Sequence, residues 1–383
     1  MIRVAMVSHY MPPHPGGIER VAESLYAAYR ARGFAVRWLA SDLPRGTPAG
    51  DPGRIRVPAW NVLERRLGVP VPLWGPAGWL RLARLVRWAE VVHVHDCLYP
   101  GSLAAAWLAR RQGVPTLLTQ HIGAVRYRSG LLTALAAFAY STVGRAVLRR
   151  VSAVALATPS AESHLARLAV GTAPRLRIPN GIDLERFRPA APGARAAARE
   201  ALGLPAGPVV LFVGRLVEKK GVPEVIELAR RRPGVHFLLV GSGPLAGLLA
   251  GAEGNLSHLA AVPPAEMPRV YHAADALLLP SRGEGLPLSV QEAMACGLPV
   301  LVAEGDAFSA QITASGGGLA GPRHAAAIAP LLDRLLVEPR GVAARRHAEE
   351  NWSLTAMAAR YAGVVTRLAE GRAVEEDPSG RAG

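Results

Sequence analysis

Cysteine is scarce in this sequence of 383 residues, and no long apolar segment opens it. Its two cysteines, Cys97 and Cys296, lie far apart in the chain, so neither a disulfide framework nor a four-ligand zinc site is indicated. The first residues, Met1 to Ser8, lead into Pro and Gly, and they predict a strand rather than a signal peptide. A reducing, cytoplasmic location is therefore expected.

Helices that span a membrane are not expected either. The uncharged run between Arg128 and Arg145 is short for a bilayer and is rich in Ser, Thr and Gly. We therefore expect a protein that is soluble or that binds a membrane peripherally.

Positive charge is in excess, and it is distributed unevenly. The net charge is +15, and residues 1–187 hold 24 Arg and 10 acidic residues, which gives +14 for that half alone. A general preference for Arg would raise the positive charge of both halves equally. The asymmetry therefore predicts an anionic partner for the N-terminal half.

The length favours two domains, because a single hydrophobic core rarely grows to this size. Short apolar runs alternate with helical patterns throughout, which predicts α/β domains with doubly wound parallel sheets. The predicted strands of the first domain are 2–8, 35–40, 91–95, 116–120, 153–157 and 176–179. Those of the second domain are 209–214, 236–241, 256–262, 276–280 and 299–303.

A segment rich in Pro and Ala, 189–208, separates the two series of strands. We predict domains at 1–187 and 188–354, a final helix at 355–370 that packs back on the first domain, and a disordered tail at 371–383. Ligands of doubly wound sheets bind beyond the carboxyl ends of the strands, so the loops that follow strands are the places to look for function.

The loop after the first strand contains a glycine pair, Gly16 and Gly17, at the start of a predicted helix. Glycine lets the backbone approach an anion closely, and the free N–H groups of a helix start favour phosphate. A glycine pair in such a turn can equally be structural, so the pattern alone leaves both interpretations open.

Lysine occurs only at Lys219 and Lys220, although the chain contains 44 basic residues. Both lysines follow the strand 209–214, together with Arg215, so basic side chains are delivered to its carboxyl end. Arg can contact two phosphate oxygens at once, and Lys supplies a compact charge. Cations are unfavourable at a helix start unless an anion joins them, which favours a phosphate site over two solvated side chains.

Two carboxylates lie eight positions apart in the segment 280–300, which runs from a strand through a Gly turn and a short helix. Glu284 lies in the turn, where it could accept hydrogen bonds from sugar hydroxyls. Glu292 lies in the helix, where it could hold a ribose or remain solvated.

Five segments carry a joint resemblance to a known family. They are the Gly-Gly-Ile-Glu turn at 16–19, the strand Val-His-Val-His-Asp at 92–96, the Arg-Ile-Pro-Asn-Gly-Ile-Asp segment at 177–183, the loop 214–221 and the stretch 284–299. In this order they resemble the retaining glycosyltransferases of family 4. That resemblance implies the GT-B fold, in which two Rossmann-like domains face each other across a cleft.

The resemblance also implies roles for individual residues. Arg215 and Lys220 would hold the diphosphate of a nucleotide sugar, either a UDP-sugar or GDP-mannose. The complete donor site implied is Gly16, Gly17, Arg215, Lys220, Glu284, Gly285, Leu286 and Glu292. The catalytic set implied is His121, Arg215, Lys220 and Glu284.

The acceptor implied is a lipid-linked or saccharide molecule, facing His95, Asp96 and Asn180. Family members commonly have a Gly-Gly turn with an acidic residue after the strand 299–303, but this chain has Gly305 and Asp306 in a different pattern. Contacts from that loop to the donor, and the identity of the donor, are therefore not predicted.

No cofactor and no metal is expected. The Asp-x-Asp motif, by which many glycosyltransferases hold a divalent cation, does not occur in the sequence. His93, His95 and Asp96 could be metal ligands, since alternate residues of a strand share a face. An acceptor-side wall or simple packing explains the same three residues.

An anionic membrane surface is the expected partner of the basic half. The predicted helix 79–89 places Leu80 and Trp88 among arginines, and the segment 131–147 is apolar with Arg at both ends. Ordinary helices that cover a core would give similar patterns. A nucleic-acid-binding protein, a sugar-nucleotide epimerase and an inactive scaffold are the remaining alternatives, although no nucleic-acid-binding motif is present.

Overall fold

The computed structural model describes residues 1–14, 16–43, 50–67, 69–124, 129–168, 170–249 and 254–376. The chain divides into two compact units, each with its own sheet. The first unit comprises residues 1–181 and the chain from Leu354 onward, and the second comprises Ile182–Ser353. Within the predicted tail, residues 371–376 form no helix or strand, and the remainder lies outside the described residues, as do Arg126 and Arg128.

The first division falls at 181/182, six residues before the predicted 187/188. Ile182 and Phe187 are both buried in the core of the second unit. The backbone N–H of Ile182 also donates to the carbonyl of Trp352, at the far end of the same unit (2.7 Å). The change of unit therefore precedes the Pro- and Ala-rich segment.

The first unit contains a seven-stranded parallel sheet with the order β3-β2-β1-β6-β7-β8-β9. Its strands are β1 (Arg3–Val7), β2 (Ala35–Ser41), β3 (Arg54–Val57), β6 (Val91–His95), β7 (Thr116–Gln120), β8 (Ala153–Leu156) and β9 (Arg175–Arg177). A small antiparallel pair, β4 (Ala59–Trp60) and β5 (Leu73–Trp74), lies outside this sheet.

Three of these strands are absent from the sequence prediction. β3 alternates Arg with apolar residues and is an edge strand, so it has no continuous apolar run. β4 and β5 have two residues each, which is too short for a periodic pattern to appear.

The helices of the first unit cover its sheet. They are α1 (Gly17–Ala31), α2 (Val62–Leu67), α3 (Pro76–Trp88), α4 (Pro100–Arg111), α5 (Gly130–Ala139), α6 (Arg145–Leu148), α7 (Pro159–Leu168) and, from the end of the chain, α15 (Leu354–Ala369). A π-helical turn, Tyr140–Gly144, joins α5 to α6. In α3 the spacing of Leu82, Leu85 and Val86 gives one apolar face, which is buried.

The last helix, α15, packs against the first unit as the sequence predicts for residues 355–370. The hydroxyl of Thr119 on β7 donates to the hydroxyl of Tyr361 (3.1 Å), and the ring of Tyr361 stacks on His93. Tyr361 is fully buried there. The end of the chain therefore contributes to the core beneath the carboxyl ends of β6 and β7.

The second unit contains a six-stranded parallel sheet with the order β12-β11-β10-β13-β14-β15. Its strands are β10 (Val209–Val213), β11 (His236–Val240), β12 (Leu256–Leu259), β13 (Ala276–Leu279), β14 (Val300–Ala303) and β15 (Gly318–Gly321). Its helices are α8 (Ala194–Ala201), α9 (Val222–Arg231), α10 (Met267–Ala273), α11 (Leu288–Ala295), α12 (Ala307–Ala314), α13 (Ala325–Val337) and α14 (Gly341–Asn351). β15 has the sequence Gly-Leu-Ala-Gly and no strand signal, so the sequence did not predict it.

Each sheet contains one point where the strand order reverses. It lies between β1 and β6 in the first unit and between β10 and β13 in the second. At such a point the loops after the two strands diverge and leave a crevice for a ligand. The loops after these four strands therefore define where a site can form.

Candidate active site

His121 follows β7 and is paired with a second histidine. Its Nε2 lies 2.9 Å from Nδ1 of His95, the last residue of β6, and the two rings are stacked. Burial, followed by the charge of His9, lowers the pKa of His121 to about 3, although a hydrogen bond with Asn180 opposes the shift. His121 is therefore a neutral imidazole at neutral pH, suited to hydrogen bonding with a substrate.

Asp96 holds the loop that carries His121. Its Oδ1 accepts hydrogen bonds from Nε2 of Gln120 (2.6 Å) and from the backbone N–H of His121 (3.1 Å). The backbone of Asp96 has φ +60, a left-handed conformation that Asp tolerates better than most residues. Asp96 is buried, and these contacts support the strand end; its predicted place on the acceptor side stays a prediction. Burial raises its pKa to about 7.

The alternative that His93, His95 and Asp96 bind a metal finds no support in the geometry. Among the described residues, no three His, Cys, Asp or Glu side chains are placed to share a metal ion. Both ring nitrogens of His93 already have partners, the hydroxyls of Tyr29 (3.2 Å) and Thr119 (2.7 Å). His93 therefore belongs to the core under the site.

The glycine pair opens α1, with Gly16 as N-cap and Gly17 as its first residue. A Cβ on Gly16 would overlap the carboxylate of Glu19, so a larger residue there would displace this carboxylate. The buried Glu19 is 3.2 Å from Nδ1 of His14, whose Nε2 lies 3.4 Å from Glu64. Burial lowers the pKa of His14, but hydrogen bonds with the two carboxylates raise it to about 9.

Sequence patterns assign no role to this cluster of two carboxylates and a histidine. Glu19 stands in the first turn of α1, two residues after Gly17, and that position was the available signal. Glu64, the second carboxylate beside His14, is distant in sequence and can be found only from the structure.

Glu284 is the centre of the candidate site in the second unit. Its Oε2 lies 3.0 Å from Nζ of Lys220 and its Oε1 lies 3.5 Å from Nζ of Lys219. Burial alone would raise the pKa of Glu284, but the charges of both lysines hold it below its ordinary value. A carboxylate that is ionised and paired with two ammonium groups therefore lies beyond the ends of β10 and β13.

The two loops that carry these charges are in direct contact. A Cβ on Gly221, which has φ +85, would overlap Pro280 at the end of β13. The backbone N–H of Arg282 donates to the carbonyl of Lys219 (3.0 Å). Glycine at 221 thus permits the approach that brings Lys220 to Glu284.

Asp306, in the loop that departs from the family pattern, braces the Glu284 loop. Its Oδ1 accepts from the N–H of Gly283 (2.9 Å) and its Oδ2 accepts from the N–H of Glu284 (3.0 Å). Gly283 has φ +65, so the turn itself favours glycine. Sequence patterns assign no role to Asp306, because its partners are backbone groups more than 20 residues away.

The other predicted donor residues have different surroundings. Arg215 is exposed at the end of β10, Gly285 is half-buried, and Leu286 is buried in the core of the second unit. Glu292 is buried on α11, and its Oε2 accepts from the hydroxyl of Tyr271 (2.6 Å). Its predicted contact with a ribose stays a prediction, as do the other ligand contacts.

Two family descriptions match the chain, one for each unit. Residues 16–181 match the glycosyl transferase 4-like domain, and residues 195–352 match glycosyl transferases group 1. The chain belongs to the GT-B glycosyltransferases of family 4. The resemblance drawn from the sequence is thereby confirmed, and the protein is an enzyme of this class.

Curated relatives bear names from the same class of enzyme. A D-inositol 3-phosphate glycosyltransferase of Segniliparus rotundus is 34% identical over 79% of this chain and 74% of its own length. A GDP-mannose-dependent alpha-(1-6)-phosphatidylinositol monomannoside mannosyltransferase of Mycolicibacterium smegmatis is 28% identical over 96% of this chain and 99% of its own length.

Solved structures confirm the predicted fold of two Rossmann-like domains. The sucrose-phosphate synthase of Thermosynechococcus elongatus has a TM-score of 0.79 at 22% identity, covering 97% of this chain and 100% of that one. The glycosyltransferase WaaG, involved in lipopolysaccharide biosynthesis, has a TM-score of 0.69 at 18% identity, covering 96% and 100%.

Replacing Asp96 by Asn should change how stability depends on pH. A carboxyl with a raised pKa binds its proton more tightly in the folded state, so Asp96 lowers the free energy of unfolding as pH rises from about 4 to about 7. Asp96→Asn should remove up to about 1.4 kcal/mol per pH unit of this decline. Urea unfolding at pH 5 and pH 6.5 measures it, with the surface variant Asp333→Asn as control. If the free energy of unfolding changed equally with pH in wild type and in Asp96→Asn, the raised pKa of Asp96 would be contradicted.

Replacing Asp306 by Ala should loosen the Glu284 loop. The amides of Gly283 and Glu284 lose their acceptor, and a hydrogen bond to a charged group contributes roughly 1.5–3 kcal/mol. Hydrogen exchange at these two amides should become at least about tenfold faster. Asp333→Ala, which removes a surface carboxylate, should leave both rates unchanged. Equal protection in wild type and Asp306→Ala would show that the brace is unimportant.

Proposed function

We propose that this enzyme transfers a sugar, with retention of configuration and without a metal, from a UDP-sugar or GDP-mannose to a lipid-linked or saccharide acceptor. The reaction would serve cell-envelope glycan or glycolipid synthesis at the inner face of the cell membrane. The observation that carries the proposal is the Lys219, Lys220 and Glu284 cluster at the strand reversal of the second sheet.

The leaving group explains why basic residues belong at this place. When the sugar leaves, negative charge grows on the nucleoside diphosphate, and a positive group must already be in position to stabilise it. Lys220 is half-buried and held by the Gly221 turn, and Arg215 extends from the same loop. With no Asp-x-Asp motif in the sequence, these two cations are the groups that we assign to stabilising the leaving diphosphate.

The sugar side of the reaction needs hydrogen-bonding groups that remain in one protonation state. Glu284 is an ionised acceptor for sugar hydroxyls, because both lysines hold its pKa down. His121 is a neutral imidazole, because burial lowers its pKa. Two ion pairs make Glu284 a poor nucleophile. We therefore favour attack by the acceptor hydroxyl on the same face of the sugar from which the phosphate leaves. A phosphate oxygen then takes the proton of the acceptor hydroxyl.

The relatives support the classes of donor and acceptor. One bears the name of an enzyme dependent on GDP-mannose that acts on a phosphatidylinositol monomannoside, and the other is named for D-inositol 3-phosphate. Both acceptors are anionic, and the N-terminal half of this chain carries a charge of +14. An anionic acceptor bound to the first unit accounts for this charge.

Replacing Lys220 by Ala tests the assignment of the diphosphate site. Loss of one preorganised group that stabilises developing charge typically lowers kcat by about 10²–10³-fold, and we expect kcat/KM for the donor to fall by that factor. Lys219→Ala is the matched control, since Lys219 is more exposed and lies farther from Glu284, and it should lose less than about tenfold. Mass detection of glycoside from a panel of nucleotide sugars and a lipid extract gives the rates.

Several outcomes of that assay contradict the proposal. Full turnover by Lys220→Ala removes Lys220 from the reaction. An epimerised donor without a new glycoside indicates an epimerase, and no product with any donor indicates a scaffold.

Transfer should continue after chelation of divalent cations, because the charge on the diphosphate is met by Arg215 and Lys220. We expect rates with excess EDTA within about twofold of those with Mg²⁺, and a product with the anomeric configuration of the donor by NMR. Loss of activity that Mg²⁺ restores would refute metal independence. A sugar trapped covalently on Glu284 would refute the single-face mechanism.

A further inference from the structure

The helix α5 in the first unit is apolar but not buried. None of its ten residues is buried, and Leu131, Leu135 and Phe138 are 70%, 53% and 67% exposed. These three residues recur at intervals of four and three, so they share one face of the helix. An ordered apolar face of this kind on the surface indicates a binding surface.

The same helix is anchored at its other end. Through the π-helical turn it continues into α6, where Tyr140, Val147 and Leu148 are part of the core of the first unit. By length and composition, Gly130–Leu148 could cross a membrane, a criterion that other apolar helices also meet. Because its C-terminal half packs on the core, the helix is placed to lie along a surface, not to span a bilayer.

A basic depression lies at the anchored end of this helix. It has a volume of about 330 Å³ and is lined by Trp107, Arg110 and Arg111 of α4 and by Arg149 and Arg150, which follow α6. The guanidinium of Arg111 lies 4.6 Å from the ring centre of Trp107. Among the described residues, none of the four arginines forms an ion pair and no acidic side chain lines the depression.

Charge decides which partner this surface fits. Four arginines without carboxylates repel one another, so the depression favours an anion with several oxygens, such as the phosphate of a lipid head group. Trp at the rim suits the boundary between head groups and acyl chains. A second copy of the chain would bring the same positive charges, which disfavours a symmetric dimer through this face.

We infer that the face formed by Leu131, Leu135 and Phe138, together with the depression lined by Trp107 and the four arginines, docks this enzyme on an anionic bilayer. The apolar face enters the acyl boundary and the arginines bind lipid phosphates. The inference deepens the proposed function, since it places the first unit where a lipid-linked acceptor is found.

Helix α3, the other candidate from the sequence, fits this role less well. Its apolar face is buried, and Trp88 packs under the guanidinium of Arg37 at 4.4 Å. Leu80 alone among its large apolar residues is strongly exposed. We therefore assign docking to α5 and the arginine depression.

Sedimentation with vesicles tests the inference on the full chain. Vesicles of phosphatidylcholine with about a third phosphatidylglycerol should bind the protein, and binding should weaken as salt rises from 0.05 to 0.5 M. Each basic residue near an anionic surface contributes roughly a fivefold factor, so the double variant Arg110→Gln, Arg149→Gln should bind about 25-fold more weakly. The double variant Leu135→Ser, Phe138→Ser should lose the binding that persists in high salt.

Matched controls lie in the second unit. Arg231→Gln with Arg334→Gln removes two exposed arginines, and Leu248→Ser with Val342→Ser removes two exposed apolar residues, and both should bind as wild type does. Wild-type binding by the α4–α6 variants would overturn the inference, as would equal binding of the wild type to pure phosphatidylcholine vesicles and to the anionic vesicles at 0.05 M salt. So would a wild-type dimer that the Leu135 and Phe138 variant converts to a monomer.

The outcome is separable from that of the proposed function. Vesicle binding is measured without donor, and transfer is measured without vesicles, with the acceptors of the lipid extract dispersed in detergent. Docking without transfer would refute the proposed function alone, and transfer without docking would refute this inference alone.

Discussion

The reversal of strand order in each parallel sheet is the constraint on which the candidate site residues of each unit depend. Loops after neighbouring strands normally lie on the same side as their helices, but at the reversal they diverge and leave backbone groups open to a ligand. In the first sheet this brings His9, after β1, onto Tyr99, after β6, and their rings are stacked at 3.8 Å. In the second it brings Lys220 to Glu284, 64 positions later in the chain.

Different electrostatic surroundings give two histidines of the first unit different protonation states. His14 and His121 are both withdrawn from water, and burial lowers the pKa of each. His14 lies between two carboxylates, and their hydrogen bonds bring its pKa to about 9. For His121, burial and then the charge of His9 lower the pKa to about 3. The first unit therefore presents a charged imidazole at the start of α1 and a neutral one at the end of β7.

Sequence patterns predict the buried strands well, because a central parallel strand is a short apolar run and its burial on both faces leaves little choice of residue. They miss β3 and β15, since an edge strand tolerates Arg and Gly. Within the site, the lysine pair and Glu284 are found from composition and resemblance. Asp306 is missed because it binds backbone N–H groups, which nearly every residue type has, so the identity of the partner residues does not reveal the contact.

The two carboxylates of the donor loop show what a buried charge requires. Glu292 accepts the hydroxyl of Tyr271 inside the unit, whereas Glu284 is compensated by two ammonium groups. A diphosphate held by Lys220, as proposed, would compete with Glu284 for the same ammonium. The carboxylate of Glu284 would then need new hydrogen-bond donors, and the hydroxyls of the sugar attached to that diphosphate can serve as these donors. Donor binding would thus replace an internal ion pair by contacts to both parts of one ligand, which couples recognition of the sugar to recognition of the phosphate.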